Sequence, residues 1–197
     1  MLGSLPLLLV LSVTWSWAMD YELLLEEPDL FSPCTDGPPG SISIQEAFNS
    51  ENFTISMESD ILHLSGNVTS RWEVEPTDRV SARISLFYFN RGTWEPTVYS
   101  ISVNNFCPLM YDRNQYWFKY WTKYVSNRHE VEHLCLSAGA VFVHNPYDMK
   151  MRLDDFRGPV LRGRHKILII CTAFSNTNVQ RPVSFCFEIR GEVLRIK

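Results

Sequence analysis

The chain has 197 residues, 45% of them hydrophobic and 13% aromatic, and a formal net charge of −4. So mild a charge argues against nucleic acid as a partner, which would call for a clustered basic surface. The length fits one domain with an ample, ring-rich core.

The first eighteen residues, MLGSLPLLLVLSVTWSWA, carry no charged side chain, hold an apolar run from Leu5 to Val13 and end in the small-x-small triplet Ser16-Trp17-Ala18. They read as a secretory signal peptide, residues 1–18, although no lysine or arginine precedes the apolar run. No later window reaches the roughly eighteen apolar residues of a membrane-spanning helix. The mature chain, 19–197, is therefore expected to be a single secreted, extracellular domain. Residues 19–40, MDYELLLEEPDLFSPCTDGPPG, are rich in acids and prolines and read as an irregular lead-in pinned by Cys34. Two sequons follow, Asn52-Phe53-Thr54 and Asn67-Val68-Thr69, and both are expected to carry glycans in the secretory pathway.

From Leu62 to Val74 apolar or small residues hold the even positions and polar ones the odd, which predicts a long strand or a bent pair with one wet face. Asn67 falls on the wet side. After a Pro76-Thr77-Asp78 turn the even pattern resumes at Val80, Ala82, Ile84, Leu86 and Tyr88, and Tyr99, Ile101 and Val103 share a face beyond it. These read as three successive hairpin-like strands. Further strands are expected around Phe142, over the alternating Tyr147, Met149, Met151 and Leu153, along the apolar 167–174 (ILIICTAF) and through Val183, Phe185, Phe187 and Ile189. Short strands without a βαβ rhythm predict an antiparallel sandwich or cup.

One segment breaks the pattern. Asp112-Arg113-Asn114-Gln115 resembles a helix N-cap with its glutamine partner, and YWFKYWTKYV follows. At helical spacing Trp117, Tyr120, Trp121 and Tyr124 form one stripe, flanked by Tyr116, Phe118 and Val125. That arc is wider than docking on a sheet requires. Such a helix either packs wholly into the core or also forms one wall of a pocket.

His129, Glu130 and His133 spell H-E-x-x-H, the zinc-and-base signature of metalloproteases when it lies on a helix. An extended zincin motif would place glycine three residues after His133 and histidine six after, where this chain has Leu136 and Gly139. The segment reads instead as a solvated, charged loop or helix end. No G-x-S-x-G, P-loop or G-x-G-x-x-G is present, and His63, His144 and His165 sit in strand-like runs. No catalytic residue, metal or other cofactor is expected, and no nucleophile with a nearby base supports a lipid hydrolase. The five cysteines, Cys34, Cys107, Cys135, Cys171 and Cys186, allow two bridges and one leftover thiol, or a bridge to another chain.

Four stretches, GNVTSRWEVEPTDRVSARISLFYFNRGTWEPTVYS, CPLMYDRNQYWFKYW, LRGRHKILI and NVQRPVSFCFEIRG, together with the cysteine order, resemble the insect chemosensory protein B (CheB) family. More distantly the chain is similar to the ganglioside activator protein of the ML lipid-recognition superfamily. The resemblance implies a mostly β fold, an antiparallel β-cup enclosing an apolar cavity, with the aromatic amphipathic helix near its mouth and no catalysis. It implies bridges Cys34–Cys186 and Cys107–Cys135, which leaves Cys171 as a buried free thiol. Relative to the activator this chain has fewer cysteines around its mouth loop.

The expected ligand-lining residues are Leu64, Trp72, Ile84, Leu86, Tyr88, Met149 and Met151 on the inner face, with Trp117, Tyr120, Trp121 and Tyr124 from the helix. Such a wall offers dispersion contacts and no charge, suited to long apolar chains. The function implied is a carrier or presenter of lipid-like ligands, in the CheB setting cuticular hydrocarbon pheromones sensed by gustatory sensilla, with a sensory receptor or channel as partner and sensillum lymph as location. The alternative is an interaction module that engages a membrane receptor or channel without carrying lipid.

Overall fold

The computed structural model describes residues 18–26 and 30–196. Apart from Ala18, the expected signal peptide lies outside the described residues.

The elements in chain order are β1 (Met19–Leu25), β2 (Ser32–Pro33), α1 (Ile44–Ala47), β3 (Phe48–Glu58), β4 (Ile61–Ser70), β5 (Arg79–Asn90), β6 (Thr93–Val103), α2 (Tyr116–Tyr120), α3 (Arg128–Val131), β7 (Val141–Met149), β8 (Arg152–Phe156), β9 (Gly163–Phe174) and β10 (Phe185–Arg195). The fold is mostly β, as the alternation predicts. Two sheets form it: a seven-stranded one in the order β6-β5-β9-β10-β1-β8, with β2 added on β10, and a three-stranded one in the order β3-β4-β7. Every ladder is antiparallel.

The large sheet curls until its two edge strands approach each other. Tyr99 of β6 meets Phe156 of β8 at 4.8 Å between ring centroids, and its hydroxyl donates to the Pro159 carbonyl at 3.4 Å. Gly158 permits this closure, because a Cβ there would lie 2.1 Å from the Tyr99 hydroxyl. The small sheet covers the trough. Its inward residues include Phe53, Ile55, Leu64 and Met149, facing Ile84, Leu86, Ile167, Ile169, Phe187 and Ile189 of the large sheet.

On the outer face of the large sheet, Lys166 and Glu188 are fully buried and paired at 3.0 Å. The loop after Cys34 covers them. Thr35 donates its backbone and hydroxyl hydrogens to Glu188, Asp36 pairs with Lys166, and Arg190 donates to the other Glu188 oxygen. The Trp94 ring lies 5.1 Å from the Lys166 ammonium. Both faces of β9 and β10 are thus covered, which explains why 167–174 reads as continuously apolar.

Four sequence expectations are corrected. The lead-in 19–40 is not irregular throughout, because β1 lies inside the large sheet between β10 and β8. Met19 and Tyr21 are buried, while Glu22 is held by Lys150 and Arg152 at 3.3 and 3.1 Å. Glu22 is ion-paired and Asp20 accepts a hydrogen bond from the Asp155 backbone, so two acids inside β1 disguised a strand. The aromatic segment is not one helix. It forms the short α2 and a 3-10 turn over Thr122–Tyr124, broken at Trp121 (φ −138°, ψ −70°). Its rings require burial in different directions, and tertiary packing overrides helix continuity. Asp112 does not cap it; Gln115 occupies the N-cap, and Asp112 accepts hydrogen bonds from the Asn114 backbone and the Gln115 side chain at 2.9 and 3.1 Å.

The strand from Leu62 ends at Ser70, and it pairs with β3 and β7 rather than joining β5 and β6 as a third hairpin strand. Residues 71–78 cross from one sheet to the other. Trp72 and Val74 on this crossing are buried. Strand β3, which the reading from sequence did not single out, carries Phe53, Ile55 and Met57 in alternation with Asn52, Thr54, Ser56 and Glu58.

Candidate functional site

Between the two sheets lies a cavity of about 1050 Å³. That is at the top of the roughly 300–1,000 Å³ range of ligand pockets. Three hydrophobic clusters surround it. One is built on Trp72, Phe142 and Phe185, a second on Leu62, Leu64 and Ile189, and a third on Tyr21, Leu161 and Val193. The strand pleat sends alternate side chains inward, so the walls are long rows of aliphatic and aromatic groups. The exposed part of the lining comes from Val98, Ser100 and Ile101 of β6, Tyr116 of α2, Arg152, Asp155 and Arg157 in and after β8, and Gln45 and Ser50 of α1 and β3.

Of the residues expected to line a pocket, the structure brings Leu64, Ile84, Leu86, Trp117, Tyr120, Trp121, Met149 and Met151 to the cavity. Three others go elsewhere. Trp72, 1% exposed, fills the core, its indole nitrogen donating to the Val183 carbonyl at 3.0 Å and its ring set edge-on to Phe185. Tyr88 lies beyond the cavity toward the β5–β6 turn, where its hydroxyl donates to Glu95. Tyr124 backs the wall, stacked at 3.7 Å on Tyr147, which itself lines the cavity.

The α2 segment is fixed to the rim at several points. Trp117 donates its indole hydrogen to the Leu109 carbonyl at 2.9 Å and packs on Phe106, while Trp121 meets Phe142 at 5.4 Å. Lys119 bridges to Asp154 at 2.6 Å, and Tyr120 donates to the Arg152 carbonyl. The Cys107–Cys135 bridge closes the stretch that carries α2 and α3, and Cys34–Cys186 ties the lead-in to β10.

Cys171 is unpaired and its buried thiol faces the cavity. Burial pushes its pKa up to about 12, so at neutral pH it is a thiol and a weak nucleophile. His144 is buried behind the wall with its ring 5.3 Å from Phe53, and burial lowers its pKa. His129, Glu130 and His133 stand in or after the four-residue α3 and are exposed, with Arg128 and Glu132 paired at 2.8 Å across the same surface. Among the described residues no group of three His, Cys, Asp or Glu side chains could hold a metal ion.

Reading from sequence missed much of the wall. Tyr21 and Leu23 of β1, Leu30 and Phe31 after it, and Phe53 and Ile55 of β3 all line the cavity. The signal for β3 was its period-two alternation from Phe53 to Met57. For β1 it was the series Met19, Tyr21, Leu23 and Leu25, hidden among acids.

No protein-family model matches the chain, and none of the curated proteins does. Among solved structures, the crystal structure of chicken MD-1 complexed with lipid IVa aligns over 92% of this chain and 99% of that chain, at 13% identity and a TM-score of 0.30.

Proposed function

We propose that the protein is a secreted, non-enzymatic carrier or presenter of apolar, lipid-like ligands. The observation that carries this reading is the cavity itself, about 1050 Å³ of space between two sheets, walled mainly by aliphatic and aromatic side chains, with Val98, Ile101 and Tyr116 among its exposed lining. Each methylene moved from water into such a site contributes about 0.8 kcal/mol. Met149 and Met151 in the wall are unbranched and adapt to ligands of varied shape.

The finer reading rests on the sequence resemblance to the CheB family. In that setting residues 1–18 are a signal peptide, 19–197 form one domain in sensillum lymph, and the ligands are hydrocarbon pheromones delivered to a gustatory receptor or channel. Organic extraction of the purified secreted protein tests the carrier reading. A stoichiometric apolar compound is expected in the extract, and the stripped protein is expected to take up a long-chain hydrocarbon or fatty acid. Failure to yield or bind any such compound would contradict it and favour a module that acts through its surface alone.

A further inference from the structure

We propose that Asn52 and Asn67 are a paired N-glycan site, and that the glycan on Asn52 caps the free edge of the three-stranded sheet against strand addition. The two asparagines lie 15 positions apart in sequence but are direct Cα partners in the β3–β4 ladder. Residues so opposed lie about 5 Å apart and share a face. Phe53 points into the cavity, so its neighbours Asn52 and Thr54 point out; Leu64 and Val68 line the cavity, so Asn67 points out as well. Both asparagines are exposed, and each sequon threonine stands two residues on, on the same outer face. At Gly66, beside Asn67, φ is +109°, and a Cβ would come within 2.0 Å of the Asn52 carbonyl oxygen. The backbone is drawn together where the two sites meet.

Strand β3 has reason to need a cap. It is eleven residues long, with exposed residues over most of its length, and among the described residues its sole strand partner is β4. A long edge strand carrying Phe53, Ile55 and Met57 is a template for pairing with a second chain. Natural edges are shielded by charge, bulges or cover. Here a ladder irregularity between Asn49 and Asn52 interrupts one end, and a glycan on Asn52 would obstruct an incoming strand at the middle.

Attachment requires a lipid-pyrophosphate-linked oligosaccharide as donor. The Nδ2 atom of each asparagine bonds to the sugar's anomeric carbon, the bond from that carbon to the pyrophosphate oxygen breaks, the lipid pyrophosphate leaves, and the amide gives up one proton to the medium. The inference depends on passage through the secretory pathway and not on what fills the cavity.

The test uses the full chain secreted from a eukaryotic host. Intact mass before and after peptide-N-glycosidase is expected to show two glycans on the wild type and one on each of Asn52→Gln and Asn67→Gln. In sedimentation velocity Asn52→Gln and Thr54→Ala are expected to shift to larger species, whereas Asn67→Gln, which keeps the edge glycan, sediments as the wild type does. Native enzymatic deglycosylation of folded wild type is expected to reproduce that shift, and it reads out even where a variant fails to fold. An unmodified Asn52 or Asn67 in the secreted wild type would overturn the pairing. Glycan removal at Asn52 without any change in self-association would overturn the edge cap.

Discussion

At the scale of single residues, two tryptophans separate the core from the cavity wall. Trp72 is enclosed and hydrogen-bonded, so Trp72→Ala should cost about 3–5 kcal/mol of stability. Trp121 is half-buried and lines the cavity. Its truncation is expected to leave the melting temperature much closer to the wild type while weakening long-chain binding roughly tenfold, about 1.4 kcal/mol. Thermal unfolding and ligand titration of the two variants check this; normal affinity with a sharply lowered melting point in Trp121→Ala would make that ring core. A second residue-scale expectation concerns Glu188. Burial alone would raise its pKa, but hydrogen bonds from Thr35, Lys166 and Arg190 outweigh burial and hold it below the usual carboxylate value. A depressed folded pKa contributes stability above the unfolded value, lost as pH falls through the folded one. Acid titration of stability should therefore show a loss below about pH 4. Glu188→Gln should flatten that slope and cost about 1–3 kcal/mol at neutral pH, because the buried Lys166 keeps Asp36 but loses its ion pair with Glu188, and Arg190 loses its carboxylate partner.

Elements were legible in proportion to how much of their burial is local. Strands β5, β6, β9 and β10 announce themselves because each presents an apolar row to one interior. The strand β1 did not, since the partners of its acids lie far along the chain: Lys150 and Arg152 pair with Glu22, and the Asp155 backbone donates to Asp20. The aromatic segment was misread as a continuous helix because spacing records which residues are apolar and not where each ring finds a partner. Trp117 turns to Phe106, Trp121 to Phe142 and Tyr124 to Tyr147, and the backbone breaks at Trp121 between the first and last of these contacts. For the same reason Trp72 reads as wall on a long strand, whereas it sits on a crossing between sheets. The bridge pairing came from the resemblance, since spacing alone left alternatives. The Cys107–Cys135 bridge, closing a separation of 28 residues around α2 and α3, should contribute roughly 3 to 4 kcal/mol by loop entropy. Peptide mapping without reduction is expected to recover Cys34–Cys186 and Cys107–Cys135, with Cys171 alkylated only after unfolding; a bridge through Cys171 would contradict the assignment.

For the whole molecule, the architecture follows from one curled sheet whose edges meet at Tyr99 and Phe156 and a second sheet laid across it. The sheets are held apart around a space that the side chains do not fill. An apolar cavity of this size left without a ligand forfeits contacts on every wall. A chain-length series therefore measures what the cavity holds: the delipidated protein is titrated with saturated straight-chain fatty acids of increasing length. Each added methylene is expected to tighten binding roughly fourfold, the equivalent of about 0.8 kcal/mol, until the cavity is full and the gain stops. Affinity that is undetectable, or independent of chain length, would contradict the claim that this space is a site for apolar chains.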